Sequence, residues 1–135
     1  MKPKKLIAAL KKTASDLNQG CRYEWGHMGR CNVGCLVQNL TGKSDTQIAK
    51  SVNFEISEWS EHANDYCAQS NSSVTRLFSD LQKEGLSYKD VIHIEYLSNP
   101  KVLKHIPQKK LRRNQAKDVS TYLTAFAKQL SLEHA

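Results

Sequence analysis

No run of apolar residues in this 135-residue chain approaches the roughly 18 that a membrane-spanning helix needs. No tract rich in glycine, serine or proline marks a linker, no segment repeats, and no stretch is of low complexity. Residues 1–135 therefore read as a single domain, long enough to bury a core without staples. Several chemistries lack their signatures. There is no phosphate-binding glycine loop, no EF-hand, no HExxH, no serine nucleophile elbow and no Cys-x-x-Cys knuckle. The N-terminus, MKPKKLIAALKKTASD, begins with the basic residues of a signal peptide. Its apolar run is only LIAAL, and Lys11 and Lys12 follow directly, so no h-region forms. The expectation is a mature cytoplasmic protein. Its four cysteines are then thiols, metal ligands or core residues rather than disulfides.

What is present is a helical pattern nearly throughout. Pro3 suits a first helical turn. Leu6, Ile7, Leu10, Ala14 and Leu17 share one side of that helix, lysines occupy the other, and Gly20 stops it. A short apolar helix is expected from about residue 31 to 40, closed by Gly42. Ser44 and Gln47 have the spacing of a capping box that starts the next helix. A short helix is expected over 57–64. Val74, Leu77, Phe78 and Leu81 form a clear stripe that ends at Gly85. Ser87 and Asp90 have capping spacing, although VIHIEY also has strand character. Asn99 and Pro100 break that segment. The last helix carries Val119, Tyr122, Leu123, Phe126 and Leu130. Six or seven short helices with short joints predict an all-α, compact single-domain bundle.

Unusual chemistry concentrates in residues 21–38, CRYEWGHMGRCNVGCLVQ. This stretch holds three of the four cysteines, one histidine, one of the two tryptophans and three of the six glycines. Three readings stand side by side. In the first, Cys21, His27, Cys31 and Cys35 are metal ligands. The last three are spaced i, i+4 and i+8, and Cys67 or His62 reach in from the middle of the chain. Thiolate and imidazole favour zinc, or iron in a sulfur-rich site. In the second, Cys31 is a nucleophile at a helix N-terminus, where backbone N–H groups stabilise a thiolate. His27 or His62 would be its base, with Asn32, Asp65 or Glu24 as orienting group. In the third, the cysteines pack as small hydrophobes and Tyr23 and Trp25 plug the loop onto the core.

The string Tyr23-x-Trp25-Gly26-His27-Met28-Gly29, followed by Cys31-Asn32 and an apolar helix ending near Gln38, resembles a motif of a small uncharacterised bacterial protein family. The resemblance extends to Trp59 and to Tyr66-Cys67. It implies one intact domain and carries no activity. The same run is similar to the start of the NlpC/P60 cysteine peptidases, where a tyrosine–glycine segment precedes a nucleophile helix. Arg30 stands where that family has aspartate, so the peptidase activity is not carried over.

The net charge of +7 is uneven. Residues 1–13 hold five lysines and no acid, residues 14–99 hold seven basic and eleven acidic residues, and residues 100–135 hold eight basic and two acidic. The basic ends either dock on the acidic middle, with Arg112 and Arg113 pairing with Glu55, Glu58 and Glu61, or face an anionic partner. The run KVLKHIPQKKLRRNQAK suits a phosphate backbone, and Lys109, Lys110, Arg112 and Arg113 are its candidate contacts for nucleic acid or an acidic partner. The lysine face of the first helix could lie on an anionic membrane surface, but its apolar side lacks aromatic anchors, which disfavours that reading. His93 is expected to be a satisfied core group, and His105 and His134 to be exposed.

Overall fold

A computed structural model describes residues 4–20, 31–51, 73–107, 110–112 and 114–134. Among these the protein is an all-α bundle of seven helices with no strand. In chain order they are α1 (Lys4–Asn18), α2 (Asn32–Thr41), α3 (Asp45–Ser51), α4 (Ser73–Lys83), α5 (Tyr88–Tyr96), α6 (Pro100–Leu103) and α7 (Ala116–Glu133). None of them is long and apolar enough to cross a membrane. The helix expected over 57–64 lies outside the described residues.

The helix ends follow from local chemistry. Gly42 closes α2 in the left-handed region at φ 77°, where its N–H donates to Gln38 O. Ser44 Oγ accepts from the Gln47 amide at 3.2 Å while Gln47 Oε1 accepts from the Ser44 amide at 2.8 Å, the reciprocal box expected there. Helix α4 ends with Gly85 N–H donating to Gln82 O and Leu86 N–H to Leu81 O. These are the two bonds of a Schellman motif, and Leu86 is fully buried beside them. The VIHIEY segment is helix, not strand. Ser87 and Asp90 complete both halves of a capping box that starts a helix directly before it. That local bias outweighs the β-branched residues that follow. Asn99 caps α6, accepting from Lys101 N at 3.0 Å, with Pro100 in its first turn.

Helix α1 packs most extensively on α7 and next on α2. Leu6, Leu10, Leu36, Phe78, Ile94 and Leu123 are fully buried in one continuous cluster. Polar groups pin these interfaces. Ser120 Oγ on α7 donates to the Ala14 carbonyl of α1 at 2.9 Å. Asn39 on α2 donates to Thr13 Oγ1 at 2.8 Å and to Asp16 Oδ2 at 3.2 Å, both on α1. The Tyr122 hydroxyl accepts from Asn99 N at 3.3 Å, which gives a buried phenol a partner. Burial raises the pKa of that phenol above its ordinary value.

The join between α2 and α5 is the most specific of these contacts. Asn32, fully buried at the first position of α2, points its amide at the last turn of α5. It donates to Glu95 O at 3.2 Å, with Ile94 O at 3.5 Å. Those carbonyls belong to the group that a helix leaves without an internal partner. Helix α5 then ends on Leu97, a buried leucine at φ 52°. Left-handed backbone costs a branched residue about 1–2 kcal/mol, and here burial of the side chain offsets it. Asn32→Ala should lower unfolding stability by about 1–3 kcal/mol, the usual cost of stranding a buried polar group. Urea denaturation should show the fall as a lower midpoint with an unchanged slope.

Candidate functional site

Of the residues expected to form a thiol and imidazole site, Cys31, Asn32 and Cys35 are described. Cys21 and His27 lie outside the described residues, as do His62 and Cys67. Cys31 is the residue before α2, at φ −80° and ψ −168°, and its carbonyl accepts the first intrahelical bond, from Cys35 N at 3.0 Å. Cys35 stands one turn further along the same helix. Both are free thiols and both are buried.

The electrostatics of Cys31 run against a reactive thiolate. Burial pushes its thiol up to about 11. The carboxylate of Glu95, itself buried at the end of α5, pushes in the same direction. The amides of Gly34 and Val33 at the start of α2 pull it down, as a helix N-terminus does, yet they do not prevail and form no side-chain cap. Asn32, expected as an orienting group, instead commits its amide to the α5 carbonyls. Among the described residues no three His, Cys, Asp or Glu side chains gather as a metal site would require. The described chain therefore contributes at most two of the four expected ligands.

A different feature lies on the opposite end of the bundle's main pair. An open groove of about 420 Å³ runs between the end of α1, the turn after α6 and the outer face of α7. Lys117 and Lys128 line it along α7, Asn18 comes from α1, and His105, Ile106 and Pro107 come from the turn. Among the described residues no acidic side chain lines it. Lys117, Thr121, Thr124 and Lys128 form one stripe of α7, diametrically opposite the buried Val119, Tyr122 and Phe126. That stripe could be read from the sequence. Its pairing with residues 105–107 could not, because helical spacing says nothing about which loop lies over a helix.

The glutamates expected to pair with Arg112, namely Glu55, Glu58 and Glu61, lie outside the described residues. Among the described residues Arg112 is held by Asp118 in the first turn of α7. The carboxylate accepts from the Arg112 amide at 2.8 Å and lies 3.5 Å from its Nε, while the guanidinium stays largely exposed. His105 is half-buried rather than exposed. Its Nε2 lies 2.8 Å from Gln129 Oε1, and Gln129 in turn donates to Glu133 at 2.9 Å. An amide oxygen can only accept, so His105 carries its proton on Nε2. His93 is a satisfied group as expected, with Nδ1 2.9 Å from Ser98 Oγ. Docking of the basic N-terminus on the acidic middle is represented by Lys5 and Glu84 at 3.3 Å, an exposed pair of small energetic weight. Of the basic-run candidates, Lys110 is exposed, while Lys109 and Arg113 lie outside the described residues.

Among the described residues the fold is an all-α bundle with a lysine-flanked groove on the outer face of α7. Comparison of the chain with protein-family models, curated proteins and solved structures finds no match in any of the three.

With its pKa near 11, native Cys31 holds roughly a hundredfold less thiolate at neutral pH than a thiol at its ordinary value of 9.0. Mass-mapped iodoacetamide labelling of the native protein should find it slow, with a rate that climbs above pH 9, and fast once the chain is unfolded. The same shift links to stability. The unfolded thiol ionises first, so the Cys31 contribution is constant below pH 9 and is lost between pH 9 and about 11. Cys31→Ala should flatten that part of a stability–pH curve.

Proposed function

We propose that this protein is a non-enzymatic basic module that binds a phosphate-bearing polyanion, with nucleic acid as the first candidate. One observation carries the reading. The exposed ammonium groups of Lys101, Lys104, Lys110, Lys117 and Lys128 have no acidic partner among the described residues. They gather on α6, on the segment before α7 and on the outer stripe of α7, and α6 packs directly on α7. Unpaired like charges on two helices that pack together repel each other, and a polyanion relieves that repulsion while releasing its counterions. The exposed Arg112 side chain, with its backbone pinned by Asp118, adds a sixth cation beside them. Free thiols at Cys31 and Cys35 favour a reducing compartment, and we place the module in the cytoplasm on that ground.

Anisotropy titration of a labelled oligonucleotide tests the reading. Affinity should fall steeply between low and moderate salt, linearly in log–log form. Lys104→Ala and Lys117→Ala should each reduce the slope by about one. Binding that is absent, or indifferent to salt, would remove this function.

A thiol centre of metal-binding kind is a second proposal, resting on Cys31 and Cys35 one turn apart on a buried face of α2. Zinc or iron would be bound by their thiolates together with Cys21 and His27. A metal drives thiols to deprotonate, and the raised pKa of Cys31 makes such binding weaken as pH falls. Elemental analysis of the purified protein should then find stoichiometric metal that Cys31→Ser abolishes. Four thiols and no metal would sink the proposal.

A further inference from the structure

The groove beside α7 has a middle that differs chemically from its two ends, and this narrows the ligand beyond a bare polyanion. The ends are cationic. Lys117 and Lys128 lie eleven residues apart on one helix face, about 16 Å along its axis. The middle has an apolar floor of Ile106, Pro107 and Ala125. Its hydroxyl protons are already committed. Thr121 Oγ1 donates to Lys117 O at 3.1 Å, and Thr124 Oγ1 donates to Ser120 O at 2.9 Å. Each hydroxyl therefore offers a ligand only lone pairs. His105 likewise donates its Nε2 proton to Gln129 and, when neutral, leaves Nδ1 as an acceptor. Among the described residues a phosphate or carboxylate finds only the Asn18 amide as a donor between the lysines. A flat group with an apolar face and N–H donors on its edge finds acceptors there.

Building on the polyanion reading, we propose that the groove seats one unpaired base of a single-stranded nucleic acid, with flanking phosphates on Lys117 and Lys128. The prolyl ring of Pro107, the side chain of Ile106 and the imidazole of His105 take the base faces. The imidazole is held in place by the Gln129–Glu133 chain. Threonine lone pairs accept from exocyclic amino groups. The exposed amide of Asn18, which forms no hydrogen bond among the described residues, supplies both a donor and an acceptor to the base edge. A duplex keeps its bases stacked and paired, so it can use the lysines but not the middle of the groove. An acidic peptide carries carboxylates, which the threonine and imidazole lone pairs of the middle disfavour.

The full-length protein is titrated, at one salt concentration, with four labelled probes. These are a mixed-sequence single DNA strand of about 12 nucleotides, the same strand as a duplex, an abasic strand of equal length, and inorganic polyphosphate. The single strand should bind about tenfold tighter than the duplex or the abasic strand, the scale of one seated base. Asn18→Ala, a change at an exposed site, should narrow that gap without altering polyphosphate binding. Lys117→Ala and Lys128→Ala should weaken all four probes. Equal affinity for the single, duplex and abasic strands would overturn the seated base and leave the polyanion reading standing. Failure of every probe to bind would overturn both.

Discussion

Helix α1 lies against α7 along most of its length, close enough for a serine hydroxyl on one helix to reach a backbone carbonyl on the other. Ser120 is almost fully buried, and so is Ala14, whose small side chain permits the approach. Three further helices are tied to this pair directly or through α2, and α3 and α4 pack on α2. Helix α2 docks on the adjacent face of α1, held by Asn39 at Thr13 and Asp16. Helix α6 docks on α7, held where the Tyr122 hydroxyl meets the Asn99 amide. Helix α5 is joined to α2 through Asn32 and to α7 by packing. The chain ends are thus the centre of the fold, which couples the first described helix to the last.

That arrangement accounts for the distribution of charge. Much of the acidic middle lies outside the described residues, and within them the two basic ends of the chain meet each other. They come together as α1 and α7, and each turns its apolar stripe inward and its lysines outward. Lys12 is answered by Asp16 within its own helix and Lys5 by Glu84 across an interface. The lysines of α6 and α7 are not answered among the described residues. Lysines stand on the outer face of each helix because the inner face is committed to the core.

The start of α2 shows how one short motif can mislead about chemistry. A cysteine at a helix N-terminus is a favourable place for a thiolate only where water or a cation helps. Here the position is dry and a carboxylate stands near it, so desolvation outweighs the helix dipole. Asn32 looks in sequence like a partner for a catalytic base. In the fold it satisfies carbonyls 62 and 63 residues further along the chain. The unusual density of residues 21–38 is thus partly a structural density, at least in its last eight residues, all of them buried or nearly so.

Helix positions were legible from the amino-acid order alone because they depend on neighbours within four residues. The Ser87–Asp90 box, the Gly85 and Gly42 stops, and the apolar stripe of Val119, Tyr122, Leu123, Phe126 and Leu130 are all local signals, and each is realised. The net charge and its concentration at the two chain ends were equally plain. Tertiary structure alone decided which groups meet. It turned Cys31 from a candidate nucleophile into a desolvated thiol. It gave Arg112 to Asp118, and it laid residues 105–107 beside the lysine stripe of α7. Burial, and the charge a buried group faces, depend on contacts between residues far apart in the chain, and helical periodicity carries no record of those contacts.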